Sequence, residues 1–425
     1  MARFSVAAAA AYLSALAFAY GDSTTVKNAE ASLGEIWPGA PPFSMPLLKF
    51  RWPNNTLEGH WHLGHAIGST FEQGINSRLS QSDSLQNKTL PSLKTAGGKE
   101  LYEAFLSLHE TTFPEYVQEL KGIADGAKLP FDWVFLAQLD QEFRGQLDST
   151  HEVKDADADH CTDYMMCSET ACVGGHNEDN AANDVDRGYV LDAQLGDAGQ
   201  RIVAWSYMGE LPTGAFGVNA RGIGFTLNWV GPPPPSKPGL GRGFISRSLL
   251  DATSLADAIE RITIPGQGGG HNINVFDFCH RSIHNVEVAE SEYAVRPIGS
   301  ESFYHANQYR TLNVPNETII ASSKHRTERL EALARPGNLR EILNILGDQE
   351  DHAYPIFKDE VSHARGDKSD WTMATVSYDL DSKVATIYSG NPSLGKIHTR
   401  WSISEMITEA GGCQSSPPRS VMFML

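Results

Sequence analysis

The stretch His160–Asn180, HCTDYMMCSETACVGGHNEDN, decides how the rest of the chain is read. Cys161 is followed by Thr162 and a short run of apolar and polar residues, then a turn, then a second strand opening at Ala171. Gly174-Gly175 leads into His176-Asn177-Glu178-Asp179. Two strands joined by a turn bring distant backbone together. Cys161 reads as a nucleophile and as the first residue of a mature chain, with Asp179 as the carboxylate held against it.

Working outward, the preceding residues form a polar, acidic connector. Asp148-Ser149-Thr150-His151 and Asp155-Ala156-Asp157-Ala158-Asp159 end directly at His160-Cys161. Upstream, residues 20 to about 50 are loop-rich, with Trp37-Pro38-Gly39 and Pro41-Pro42. The segment around Ile67, Phe71 and Ile75, and residues Leu101 to Arg144, carry apolar residues at helical spacing. Tyr116, Leu120, Ile123 and Ala124 form one face, Gly126 and Pro130 break it, and a new helix starts at Phe131. Downstream the chain is strand-rich, with helices expected over Phe244–Ile262, Lys324–Ala334 and Asn338–Leu346. Two layers of strands with helices outside is the implied architecture.

Composition sets limits. The 425 residues are 41% hydrophobic, enough for one large domain or two smaller ones. A net charge of −18 argues against nucleic acid or an anionic membrane as partner. Arg3, the apolar run Phe4–Leu16 and Ala17-Phe18-Ala19 before Tyr20 have the parts of a secretory signal over residues 1–19. That run is too short to span a bilayer. Sequons at Asn54, Asn87 and Asn316 suit a secreted glycoprotein. Five cysteines in an exported chain leave one over. Cys161 is the candidate; Cys167, Cys172, Cys279 and Cys413 can form two bridges in three pairings, or remain buried thiols.

Cys161-Thr162 followed by Gly175-His176-Asn177-Glu178-Asp179 resembles the signature of the isopenicillin N acyltransferase family of N-terminal-nucleophile (Ntn) hydrolases. The insect carcinine and β-alanyl-dopamine hydrolases belong to the same group, and bile-salt hydrolases and acid-ceramidase-like amidases are more distant relatives. Four further stretches fit in order: Glu119–Ala127, Gly217–Ile223 with the strand ending at Asn228, His305-Ala306-Asn307, and Ser322-Ser323-Lys324-His325-Arg326. The resemblance implies an α+β fold, a four-layer αββα sandwich preceded by a helical segment. It implies self-cleavage between His160 and Cys161, giving an α-chain over 20–160 and a catalytic β-chain over 161–425 that stay together as partners. Glycine usually precedes the cysteine in the family; here it is histidine.

The chemistry requires these residue types. A thiol attacks an amide carbonyl as thiolate, and a cysteine titrates near about 8.5. A newly released Cys161 amine, with a pKa of about 7.7–8.0, serves as its base. The resemblance assigns Asp179 to orient that amine, Asn228 and Asn307 to the oxyanion and Arg326 to the neighbourhood of the thiolate. Trp205, Tyr207, Phe216 and Trp229 lie on strands near this site. The expected activity is cleavage of a small N-acyl or aminoacyl amide through a Cys161 acyl-enzyme. The alternative is transfer to an amine acceptor, with acyl-CoA as a possible co-substrate. No cofactor or metal is implied.

Two other classes compete. An uncut, non-catalytic secreted binding protein on the same scaffold would carry an unreactive Cys161. A metal-dependent hydrolase would use His60, His62 and His65, but these lack the glutamate and spacing of a zinc-protease helix and read as packed or exposed histidines. The Asp155–Asp159 run lacks the glycine turn and distal glutamate of a calcium loop. Gly266–Gly270 is not followed by Lys-Ser/Thr and is no phosphate loop.

Overall fold

The computed structural model describes residues 29–32, 45–147, 161–212, 215–233, 237–290, 292–368 and 370–413. Residues 1–19, expected to be a secretory signal, the acidic connector and His160 lie outside them. Helices dominate up to residue 147: α1 (Leu57–Thr70), α2 (Glu72–Gln81), α3 (Ala96–Thr112), α4 (Pro114–Ala127), α5 (Phe131–Gln138) and α6 (Asp140–Leu147). After residue 160 come α7 (Arg242–Leu249), α8 (Leu255–Ile262), α9 (Ala321–Ala332), α10 (Leu339–Leu346), α11 (Glu360–Ala364) and α12 (Ile403–Glu409). Among the described residues no helix is long and apolar enough to cross a membrane.

Among the described residues, fifteen strands form two sheets. The larger, in order β1-β2-β5-β6-β7-β8-β9-β10-β11, contains β1 (Ala29–Ser32), β2 (Leu47–Trp52), β5 (Gly188–Leu195), β6 (Arg201–Tyr207), β7 (Phe216–Asn219), β8 (Ile223–Trp229), β9 (His271–Asp277), β10 (Ser282–Ala289) and β11 (Glu292–Ile298). The smaller runs β12-β3-β4-β13-β14-β15, with β12 (Phe303–His305), β3 (Thr162–Cys167), β4 (Cys172–Asn180), β13 (Trp371–Asp379), β14 (Val384–Tyr388) and β15 (Ile397–Ser402).

Strand alternation sorts the core into three layers of apolar contact. In β5, Tyr189, Leu191 and Ala193 face α1, α4 and α5, while Val190 faces the other sheet. In β3, Met165 points between the sheets, whereas Tyr164 and Met166 pack against Leu330, Ile342 and Leu346 of α9 and α10. The result is helix, sheet, sheet, helix: the four-layer α+β sandwich expected from the sequence.

Two local expectations are corrected. The loop-rich stretch before residue 50 contains β1 and β2, and β2 pairs in parallel with β5 through Leu47↔Val190. Pairing across the sheet, which local composition does not record, extends this edge. The single helix expected over Phe244–Ile262 is two, because Ser254 adopts extended backbone and accepts from Asp257 N at 3.2 Å, capping a new start. The strands β11 and β15 and the helix α12 also carried no clear local signal.

Helices α1 and α4 cross through glycine. A Cβ on Gly64 would stand 1.9 Å from Glu119 O, and one on Gly122 would stand 2.1 Å from Trp61 O. The obstacles are backbone, which cannot swing aside. Gly122→Ala is therefore expected to destabilise the protein by about 1–3 kcal/mol through overpacking, despite alanine's better helix propensity. Thermal denaturation checks this; an unchanged Tm would show that the two helices can separate freely.

His109 joins α3 to the start of α7. Its Nδ1 donates to Phe105 O at 2.7 Å, and its Nε2 accepts from Gly241 N at 2.9 Å. Burial pulls its pKa down to about 4, and the bond to Phe105 O only partly opposes this. The buried His271 is likewise pulled down to about 3. A folded pKa below the unfolded value of about 6.5 means that the unfolded chain binds the extra proton first. The contribution is present above pH 6.5 and is lost as pH falls toward 4. Each such group is expected to remove about 1.4 kcal/mol per pH unit in that window. His109→Gln should flatten the slope of Tm against pH between about 6.5 and 4; identical slopes would refute the assignment.

Candidate active site

Cys161 stands at the entry to β3, and the hairpin register sets its company. Asp163 pairs with His176, and Thr162 with Asn177. Cross-strand partners share a face. Cys161, Asp163, His176 and Glu178 therefore project between the sheets, while Thr162, Asn177 and Asp179 project toward α9 and α10. The disulfide Cys167–Cys172 ties the far end of this hairpin, and Cys279–Cys413 ties the β9–β10 turn to the end of α12. Cys161 lies outside both bridges and is buried.

The thiol donates to Glu178 Oε2 at 3.1 Å. The same oxygen meets His176 Nε2 at 3.2 Å, and Tyr207 donates to the other, Oε1, at 2.6 Å. His176 Nδ1 lies 3.1 Å from Asp163 Oδ2. Burial alone would lower the His176 pKa, but Asp163 and Glu178 raise it to about 10, so the ring is an imidazolium at neutral pH. Burial would raise the Asp163 carboxyl. The charge of His176 and hydrogen bonds from His176, Thr226 and Asn228 outweigh it and hold the group below its usual range.

Arg326 approaches from the helical side. Its Nη1 donates to Cys161 O at 2.6 Å and to Thr162 Oγ1 at 3.0 Å, and its Nη2 donates to Asn307 Oδ1 at 2.8 Å. Ser322 Oγ accepts from Nε at 3.1 Å, one helical turn earlier on α9. Burial pulls this guanidinium down to about 10, opposed by the charges of Asp179 and Cys161, which leaves it charged at neutral pH.

The structure thus brings Cys161, Asn307 and Arg326 together. Asp179 lies on the opposite strand face from the thiol, paired with the buried Lys358 and accepting from Thr372 Oγ1 at 2.6 Å. Asn307 adopts left-handed backbone (φ 62°), and its Nδ2 donates to Trp229 O at 2.9 Å. One N–H of that amide is uncommitted. Asn228 donates from Nδ2 to both Asp163 and Asn272, and its buried Oδ1 has no partner. Tyr207 touches the site directly, and Phe216 packs edge-on to His176.

Glu178, Asp163, Lys358 and Thr372 had no role assigned from the sequence. The first two lie within the quoted hairpin, but the turn shifts the alternation by one: with Cys167 opposite Cys172, it is Glu178, not Asp179, that shares the thiol's side. Lys358 lies in a loop and gave no signal.

A cavity of about 360 Å3 lies over Glu178 and Tyr207, walled on its other side by the N-terminal helical segment. Its lining is rich in acids, including Asp83, Asp140, Glu142, Asp184 and Glu210, and Arg78 is paired to the last two at 2.7 and 2.6 Å. The histidines of α1 lie elsewhere. His60 is buried against Glu119 and Asn55, while His62 stacks on Trp52 and His65 on Trp61.

Residues 167–394, more than half of the chain, match the profile of the family described as acyl-coenzyme A:6-aminopenicillanic acid acyl-transferase. The chain belongs to this family. Among curated proteins it is similar to the β-alanyl-dopamine/carcinine hydrolase of Drosophila melanogaster, 27% identical over 365 residues, which cover 80% of this chain and 93% of that protein. Solved structures with some likeness include the N-acylethanolamine-hydrolyzing acid amidase ortholog of Caenorhabditis elegans (10% identity, 57% of this chain and 98% of that one, TM-score 0.35). Another is the conjugated bile acid hydrolase of Clostridium perfringens, in a C2A mutant (11% identity, 58% and 94%, TM-score 0.32). In this acyl-transferase family member, the matched segment contains β4, β13, Asn228, Asn307 and Arg326, while Cys161 lies just before it.

Proposed function

We propose that this chain is a self-processing cysteine amidohydrolase that cleaves a small aminoacyl or N-acyl amide through a Cys161 acyl-enzyme. The observation that carries the reading is the buried thiol of Cys161, 3.1 Å from the Glu178 carboxylate, with its own carbonyl held by Arg326. In the intact chain no Cys161 amine exists, so Glu178 takes the thiol proton for the first step. Sγ then adds to the His160 carbonyl, the C–N bond breaks to the Cys161 amine, and water hydrolyses the resulting thioester. The released amine serves as base in later turnovers, beside the Cys161 carbonyl that Arg326 holds. The uncommitted N–H of Asn307 is the oxyanion donor, and Asn228 joins it only by releasing one of its bonds to Asp163 or Asn272.

The acidic cavity over Glu178 favours a substrate with a cationic amine end. The Drosophila hydrolase, named for β-alanyl amides, supports the same class. Transfer to an amine acceptor is the second reading, favoured by the acyl-transferase family match. The proposal includes passage through the secretory pathway, with glycans on Asn54, Asn87 and Asn316, all exposed.

Intact-mass measurement with N-terminal sequencing tests the reading, wild type beside Cys161→Ala. Two fragments are expected, one beginning at Cys161, with the variant left whole and inactive. Amide hydrolysis should be lost with iodoacetamide and survive a chelator. A wild-type chain that stays intact and unreactive would favour the binding-protein reading.

A further inference from the structure

We propose that Cys161, His176 and Glu178 form a binding site for a thiophilic divalent cation of the Zn2+ class, and that the bound ion reversibly blocks the nucleophile. The inference rests on the reading of Cys161 as the nucleophile only for its inhibitory consequence, not for the binding itself.

The donor set is Sγ, Nε2 and Oε2, all buried and all within 4.8 Å of one another. Sulfur, imidazole and carboxylate together suit zinc and its neighbours rather than Mg2+ or Ca2+, which take oxygen. A tetrahedral Zn2+ with bonds of about 2.0–2.3 Å needs donor–donor edges of about 3.3–3.5 Å. Two of the edges here are 3.1 and 3.2 Å, both running to Glu178 Oε2. In the metal-free protein, protons on sulfur and on Nε2 occupy those edges. The ion would replace both, and one thiolate and one carboxylate would cancel its two charges.

The surrounding groups favour the same arrangement. Tyr207 occupies Glu178 Oε1, so only Oε2 is left to ligate. Asp163 takes Nδ1 of His176 and so leaves Nε2 pointing at the sulfur side. A carboxylate behind a ligating histidine is the usual outer support of a zinc site. Asp163 is itself fixed by Thr226 at 2.7 Å and by Asn228. The cavity lined by Glu178 and Tyr207 borders the carboxylate end of this donor set.

Co2+ titration of the purified full-length protein tests this without relying on turnover. One equivalent is expected to bind with a thiolate-to-metal charge-transfer band that Cys161→Ala abolishes. Asp163→Asn should weaken binding about 10–100-fold while keeping the band. Zn2+ should displace Co2+, and any amidase activity should fall with Zn2+ and return fully with EDTA. Co2+ bound without the band, equal binding by Cys161→Ala, or no binding by folded wild type would each overturn the proposal. A protein that binds Co2+ with the band yet cleaves no amide would uphold the metal site and sink the amidase reading. An active enzyme without the band would do the reverse.

Discussion

Arg326→Lys is expected to lower turnover by about a hundred-fold or more, although it keeps the positive charge. The guanidinium makes four bonds in three directions, to Cys161 O, Thr162 Oγ1, Asn307 Oδ1 and Ser322 Oγ. A lysine ammonium is a single point on a flexible stem and cannot span the strand entry, the left-handed Asn307 and α9 at once. At least one buried acceptor loses its donor, and Asn307 loses the group that holds its amide. Self-processing should slow along with kcat, because the same carbonyl is held in both. The comparison is kcat/KM and the fraction of cut chain, wild type against variant, with Tm measured alongside. A variant within a few-fold of wild type would show that Arg326 only fills space.

The second large effect is structural. Glu119→Ala is expected to destabilise the protein by about 3–5 kcal/mol. Glu119 lies fully buried on α4 and accepts from Arg247 Nη2 at 2.6 Å and Nε at 3.0 Å, with His60 Nδ1 at 2.6 Å. Burial would raise this carboxyl, but the charge of Arg247 and the bond from His60 hold it below its usual range. Removing the carboxylate leaves Arg247 buried, with Asp251 at 3.2 Å as its remaining ion-pair partner. The pair also bridges the proposed cut: Glu119 precedes residue 160 and Arg247 follows it. Gel filtration of processed protein should show the two pieces separating in the variant. The double variant with Arg247→Met, which removes both charges, should recover much of the loss. No recovery would mean that the defect lies in the α1–α4 crossing rather than in the charge.

Much of this was legible in advance because it is local. Tyr116, Leu120, Ile123 and Ala124 recur at helical spacing and do bury one face of α4. Gly64, Gly68, Gly122 and Gly126 were visible as residues, but nothing local showed that they form one crossing. The odd cysteine was singled out by counting, and it is the one outside both disulfides. The pairing of the other four was open, since three arrangements satisfy the same count. Only the closeness of Cys167 to Cys172 across the hairpin, and of the β9–β10 turn to the end of α12, selects one.

The site divides in the same way. The sequence by itself singled out the candidates for the chemistry: a thiol at Cys161, a carboxylate at Asp179, amides at Asn228 and Asn307, and a cation at Arg326. Their order along the chain is a property of composition and motif, and folding does not alter it. Which carboxylate meets the sulfur was decided by tertiary structure. Adjacent residues on a strand point to opposite sides of a sheet, so one step in register exchanges Glu178 for Asp179. That register depends on β13, β12 and the facing sheet, whose residues lie up to about two hundred positions away. Charge states followed the same rule, because His176 becomes an imidazolium only when two buried carboxylates from different positions close around it.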